Sequence, residues 1–351
     1  MMKTKTLIAL LLMLFLSGNV WAQGFYTIYP IPHEQLNSSG KVSFTKTVSV
    51  VAEEGIDNYT RDRLQQILQE HGLNASFDKK AQSGLSTIYL GINGSKGQAD
   101  RKATNLKLKR DVFNLQKYDR HVVSLSSAKG KAQLVVLGEN TDAVFYGLAT
   151  LEQMLDYGTM NLTCTVFYDY ADVKDRGVIE GYYGVPYSVE VTEDLFRFMA
   201  RYKLNTYMYG AKSDPYHSNY WDQPYPTKIT ENQTRLGLLT QDMMKRLCEV
   251  AHQSKVNFIW SIHPGQSFTD VASSDVIERI MSKFEIMYDL GVRQFGVFVD
   301  DVGVPDDEPT LRKGAERLTL LQERIDQRWN QPGAKPADMV KPLQYVPQLY
   351  A

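Results

Sequence analysis

From Asp175 onward, short continuous apolar runs alternate with longer stretches in which apolar residues recur every three or four positions. The runs are "RGVIEG", "LNTYMYG", "VNFIWSI", "QFGVFVD" and "LQYVPQLY". Runs of this length with no polar alternation predict strands buried on both faces. The stretches around Glu193 to Tyr202, Gln241 to Gln253, Ser274 to Leu290 and Leu311 to Trp329 predict helices between them. In the third, Ile277, Ile280, Met281, Phe284, Met287 and Leu290 form one apolar stripe. Strand and helix in repetition imply a parallel sheet, either doubly wound or a barrel. No glycine-rich phosphate loop follows a strand, which argues against the nucleotide-binding doubly wound form.

Residues 23–170 read differently. Strand-like segments "KVSFTKTVSVVAE", "STIYLGI", "HVVSLSS" and "AQLVVLG" are interspersed with two helical ones, "NYTRDRLQQILQEHG" and "TDAVFYGLATLEQMLDYG". This mixture predicts a small α+β domain with helices on one face of a sheet. It holds no constellation that can be assigned to chemistry, and His33 and His71 lack ligand spacing, so a solvated or capping role is the expectation for each. The division falls near Asp172, leaving residues 171–351 as the second domain.

At the N-terminus, Lys3 and Lys5 precede the apolar run Leu7 to Leu16, and small residues follow before Gln23. Residues 1–22 therefore read as a secretory signal peptide, with export to a periplasmic or extracellular space. The run is too short for a comfortable membrane span and no other segment approaches one, so stable membrane insertion is not expected. A net charge of -1 and the lack of a basic stripe exclude nucleic acid as an expected partner. Only two cysteines are present, Cys164 and Cys248, and both read as buried free thiols. The 21 tyrosines suit sugar recognition as well as ordinary cores.

In parallel sheets of either kind, reactive groups collect at the carboxyl ends of the strands. Four of the five ends are chemically loaded: "EGYYGVPYS", "YGAKSDPYH", "SIHPGQS" and "VDDVG". Each alone has a structural explanation, such as a glycine turn, a solvated lysine, a backbone-satisfied His263 or a capping pair; four in phase at one edge do not. Asp300 and Asp301 end an apolar strand as adjacent carboxylates, which cannot both ionise cheaply, so one acid and one base are expected. Glycosidases use that division. Adjacent residues diverge in direction, however, which suits substrate-assisted cleavage, in which the sugar's own 2-acetamido oxygen attacks and one carboxylate only orients it.

"RGVIEGYYGVPYS", "LNTYMYGAKSDPYH", "FIWSIHPGQ" and "FGVFVDDV", in this order, resemble the catalytic barrel of glycoside hydrolase family 84, the β-N-acetylglucosaminidases that include O-GlcNAcases. "DAVFYGLATLEQML" leading into "VFYDYADVKDRG" is similar to the small domain that precedes that barrel in bacterial members. The resemblance implies an α/β chain, a small α+β N-terminal domain followed by the first half of a TIM (β/α)8 barrel. It implies that Asp300 orients the acetamido group and Asp301 is the general acid and base. Gly181, Tyr183 and Lys212 match substrate-binding positions, and Tyr350 falls where the family has a tyrosine holding the acetamido group, although two of the four residues around it differ. No cofactor and no metal are implied, and the expected partner is an N-acetylglucosamine-containing glycan or glycoprotein.

Departures from the family pattern are Tyr182 and Tyr187 for the usual Phe and Trp, Ala211 and Ser213 for Pro and Asp, and the insertion-like "KITENQTRLGLL". Later strands of the family, with further sugar contacts, have no counterpart here, and about five strands cannot close an eight-stranded barrel. The expectation is an incomplete gene product with little activity of its own. Alternatives are a sugar-binding protein without catalysis, a hyaluronan-degrading glucosaminidase, and a metal-dependent hydrolase using Asp300, Asp301, Asp306, Asp307 and Glu308, the last weakened by the lack of a matching ligand cluster. The sequence carries no signal for oligomeric state.

Overall fold

The computed structural model describes residues 26–270, 273–303 and 307–348. The expected signal peptide and Tyr350 lie outside these. The chain divides into two compact units at Asp172 and Val173.

The first unit holds strands β1 (Glu34–Val42) and β2 (Thr47–Ala52), helix α1 (Asn58–Glu70), β3 (Asn74–Phe77), β4 (Ser86–Ile92), α2 (Gln98–Asn105), β5 (Tyr118–Ala128), β6 (Lys131–Gly138), α3 (Thr141–Leu155) and β7 (Leu162–Ala171). They form one seven-stranded sheet in the order β1-β7-β5-β6-β4-β2-β3. The sheet is mixed, with β2, β3, β4 and β6 parallel and β1, β5 and β7 joined antiparallel. Asp57 and Asn140 cap α1 and α3 by accepting from Thr60 N and Ala143 N.

Helices cover both faces of this sheet, contrary to the one-face expectation. Val48, Val50, Ile88, Leu90 and Val136 pack with residues of α1 and α3, whereas Val51, Tyr89, Val135 and Leu137 pack with Ala99 and Ala103 of α2. Strand alternation sends neighbouring residues to opposite faces. The sequence hides α2 because its buried side is only those two alanines. Cys164 is buried and free, and His71 ends α1, its Nδ1 2.8 Å from Ile67 O.

The second unit holds β8 (Gly177–Glu180), α4 (Val189–Arg201), β9 (Thr206–Tyr209), α5 (Glu231–Arg235), α6 (Gln241–Gln253), β10 (Asn257–Ile262), α7 (Val276–Asp289), β11 (Gln294–Phe298), α8 (Glu308–Trp329) and β12 (Gln344–Val346). All four strand pairings are parallel and the spatial order is the chain order, β8 through β12. A doubly wound sheet must reverse its order at a switch point. This one never does, so the open question from the sequence resolves to a curled, barrel-type half sheet.

One face of that sheet is packed with helices: Val178, Tyr207, Tyr209, Phe258, Trp260, Phe295, Val297 and Val299 join Phe196, Leu247, Phe284 and Leu321 in a single core. The other face carries Met208, Ile259 and Phe298, with Val346 against them. The insertion-like segment contains α5, closed by a capping box between Thr230 and Gln233. Cys248 is a buried free thiol, and burial pushes it up to about 12. Among the described residues, no helix is long and apolar enough to cross a membrane.

Candidate active site

Register aligns the strand ends. Glu180 stands beside Tyr209, Tyr209 beside Trp260, and Ile262 beside Val297, so the loops that follow open at one edge. Lys212 and Asp300 meet there. Lys212 Nζ lies 2.8 Å from Asp300 Oδ2, and both residues are buried. The two charges form a buried ion pair, whereas Asp300 Oδ1 is buried without a hydrogen-bond partner among the described residues. Such groups are rare, because an unsatisfied buried donor or acceptor costs about 1–3 kcal/mol. Here an acceptor and a cation are held ready at the same spot.

Asp301 has different surroundings. It is exposed, and Tyr183 Oη, on the loop after β8, donates to its Oδ2 at 3.2 Å. The Tyr183 phenol is raised above its ordinary range by partial loss of water around its oxygen and by this carboxylate. The residue as a whole is 69% exposed, and its loop is pinned to the next one, with Lys212 N donating to Tyr182 O and Gly184 N to Ser213 Oγ.

Gly181 begins the same loop. A Cβ there would meet nothing nearer than Ile179 Cγ2 at 3.5 Å, so the fold does not require glycine, and its absence leaves open space at the edge. Gly210 is the contrasting case: a Cβ would come 2.4 Å from Cε2 of the buried Phe298, over whose ring Lys212 Nζ sits at 5.7 Å. Gly210→Ala is expected to displace that ring and lower stability by about 2 kcal/mol. An unchanged urea midpoint would show that the ring yields freely.

Behind the edge lies a polar cluster. Asp214 accepts from Tyr209 Oη and Tyr225 Oη at 2.7 Å each and from Tyr216 N at 2.8 Å; Tyr225 Oη also accepts from Trp260 Nε1 at 3.1 Å. Burial raises the Asp214 carboxyl, and the two phenols oppose that rise. Glu180 is likewise buried and raised, and accepts from Tyr207 Oη and Tyr187 N. His217 donates Nδ1–H to Ser261 O at 2.7 Å, and burial pushes the imidazole down to about 3, so it is neutral. These groups hold the loops that carry Lys212 and Tyr183.

A family profile for beta-N-acetylglucosaminidase matches residues 176–351, half of the chain. The chain belongs to glycoside hydrolase family 84. Residues 26–170 of this family-84 chain match a second profile, glycosyl hydrolase family 20, domain 2. Protein O-GlcNAcase of Rattus norvegicus and that of Mus musculus are each 30% identical to it over 126 residues, 36% of this chain and 12% of theirs. The solved structure of CpGH84D superposes with a TM-score of 0.76 at 33% identity, covering 93% of this chain and 51% of that one. CpGH84B, at 24% identity and a TM-score of 0.66, shares the fold over 92% of this chain and 50% of its own. The family-84 chain thus spans about half the length of these two solved structures.

Of the six positions singled out from sequence in this family-84 chain, Asp300 and Lys212 touch, Asp301 and Tyr183 touch, Gly181 opens the same loop as Tyr183, and Tyr350 lies beyond the described residues. Sequence reasoning missed Glu180, Asp214 and His217. "EG" reads as a glycine turn and Asp214 is overshadowed by Lys212 in "AKSDP"; only the buried register of the preceding strands marks those carboxylates as interior.

Proposed function

We propose that this chain carries part of the active site of an enzyme that hydrolyses terminal β-linked N-acetylglucosamine with retention, by substrate-assisted attack of the 2-acetamido oxygen. Asp300 orients the acetamido group, its unpartnered Oδ1 accepting the amide N–H. Asp301, open to solvent beside Tyr183, protonates the leaving oxygen and then activates water. Lys212 and Tyr183 contact the sugar, and the space over Gly181 admits it. The observation that supports this reading most is the unequal environment of two adjacent carboxylates, one buried against a lysine with an oxygen that has no partner among the described residues, the other exposed against a phenol. The family and its O-GlcNAcase relatives support the substrate class.

The test is turnover of an aryl N-acetyl-β-glucosaminide and of an N-acetylglucosamine-bearing glycopeptide, by the 351-residue chain and by a version extended to the length of its structural relatives. Release of the β-anomer first, resolved by NMR, is the expected outcome in the extended form. First release of the α-anomer refutes retention, and saturable sugar binding with no turnover in either form makes this a binding protein.

A further inference from the structure

We propose that His263 is a positioning residue for the carboxylate pair: by donating to the main-chain carbonyl of Asp300, it fixes the turn that brings Asp301 to the same side as Asp300. The inference rests on the reading of these two residues as the working carboxylates.

Alternation along β11 decides where an extended chain would send them. Val297 and Val299 pack into the helix-side core, while Phe298 lies on the opposite face. Asp300 shares the parity of Phe298; Asp301, in an extended continuation, would share that of Val299 and be lost to the helix side. Instead it accepts from Tyr183 on the loop after β8, and its backbone is left-handed, with φ +58°. For a residue with a Cβ that conformation costs roughly 1–2 kcal/mol, eased for Asp, so something must hold it.

The holding contacts come from β12 and from the loop after β10. Val299 N still donates to Val346 O at 3.0 Å, anchoring the chain just before the turn. His263 Nε2 lies 2.7 Å from Asp300 O, and since a carbonyl only accepts, Nε2 carries the hydrogen. The same nitrogen is 3.9 Å from Asp300 Oδ1, beyond hydrogen-bonding reach, so it grips the peptide and not the carboxylate. Gln266 Nε2 donates to Gly303 O at 3.1 Å, taking a second carbonyl of the same turn.

His263 is itself tied to the loop of Lys212. Its N donates to His217 O at 2.7 Å, His217 N donates to Asp214 O at 3.2 Å, and Asp214 N to Ala211 O at 2.9 Å. The Lys212–Asp300 contact closes this path into a ring. One histidine therefore connects the loop of the lysine to the turn that places Asp301.

The test compares His263→Phe, which keeps a planar ring without the donor, with His263→Gln, whose amide nitrogen replaces Nε2. Crystal structures of the 351-residue chain should show Asp301 leaving the left-handed region and parting from Tyr183 in the Phe variant but not in the Gln variant. In the form that turns over aryl glycoside, His263→Phe should lower kcat about 100-fold on a poor leaving group and far less on an activated one, since misplacing a proton donor by about 1 Å costs that order. The Gln variant should recover to within a few-fold. In an Asp301→Asn background, His263→Phe should add almost nothing. If Asp301 keeps its turn and the leaving-group ratio is unchanged in a folded His263→Phe protein, the positioning role is wrong while the carboxylate assignment stands. If Asp300→Asn and Asp301→Asn both retain full rates, the underlying reading has failed instead.

Discussion

Asp301→Asn should lose most activity on substrates with poor leaving groups, while an activated aryl glycoside still forms the oxazoline at close to the original rate. The reason is that Asp301 supplies a proton, and a leaving group that departs as a stable anion needs little of it. Water attack on the intermediate then lacks a base, so added azide should restore turnover of the activated substrate. Asp300→Asn should behave otherwise. Removing the carboxylate that aligns the acetamido group impairs the attack itself, so both substrate types should slow together by about two to three powers of ten, with no azide rescue. The substituted amide also leaves Lys212 buried without its counter-charge, 2.8 Å from where Oδ2 stood, so the unfolding midpoint must be measured beside the rates. Exchange of the two profiles would reverse the assignments. The measurement is leaving-group dependence of kcat/KM, made in the extended chain.

Much of this arrangement was legible in the sequence for a physical reason. A parallel strand buried on both faces must be apolar throughout, so "NFIWSI" and "QFGVFV" announce themselves, and the residues after them necessarily fall at one edge. What remained hidden depends on backbone angles or on polar residues in apolar company. The left-handed φ of Asp301 has no signature in "VDDVG", since Asp is tolerated both there and in ordinary turns. β1 went unread because "EQLNSSGKV" is a polar strand with a register shift between Asn37 and Lys41, lying at the edge of its sheet. β3 is four residues, too short for periodicity. Lys283 is legible in the same pattern: it sits three residues from Ile280 and four from Met287, on the buried stripe of α7, where a lysine is normally out of place.

That lysine should give the protein an unusual response to alkali. Lys283 is fully buried, its Nζ donates to Gln223 O, and it lies 4.8 Å from the centre of the Tyr225 ring, 4.9 Å from that of Trp260 and 5.8 Å from that of Tyr216. Burial pushes its ammonium down to about 8 from 10.5, against the pull of Asp214 and Asp222. Between those two values the unfolded chain still binds a proton that the native lysine has released, so stability from this residue rises with pH; below 8 both states are charged and the native state bears the full cost. At about 1.4 kcal/mol per unit of pKa difference, the gain between pH 7 and 9.5 is about 2 kcal/mol. Tyr209 and Tyr225, whose phenols burial raises far above 10, act in the opposite direction at higher pH, which sets the upper end of the useful window. Lys283→Met keeps an unbranched side chain and removes the titration. The stability of the original chain minus that of this variant, from urea melts followed by tryptophan fluorescence, should therefore increase by about 2 kcal/mol across that window. Trp221, Trp260 and Trp329 all report from this unit. A flat difference would mean that the aromatic rings and carbonyl solvate the ammonium as well as water does, and a falling one that Asp214 and Asp222 outweigh burial.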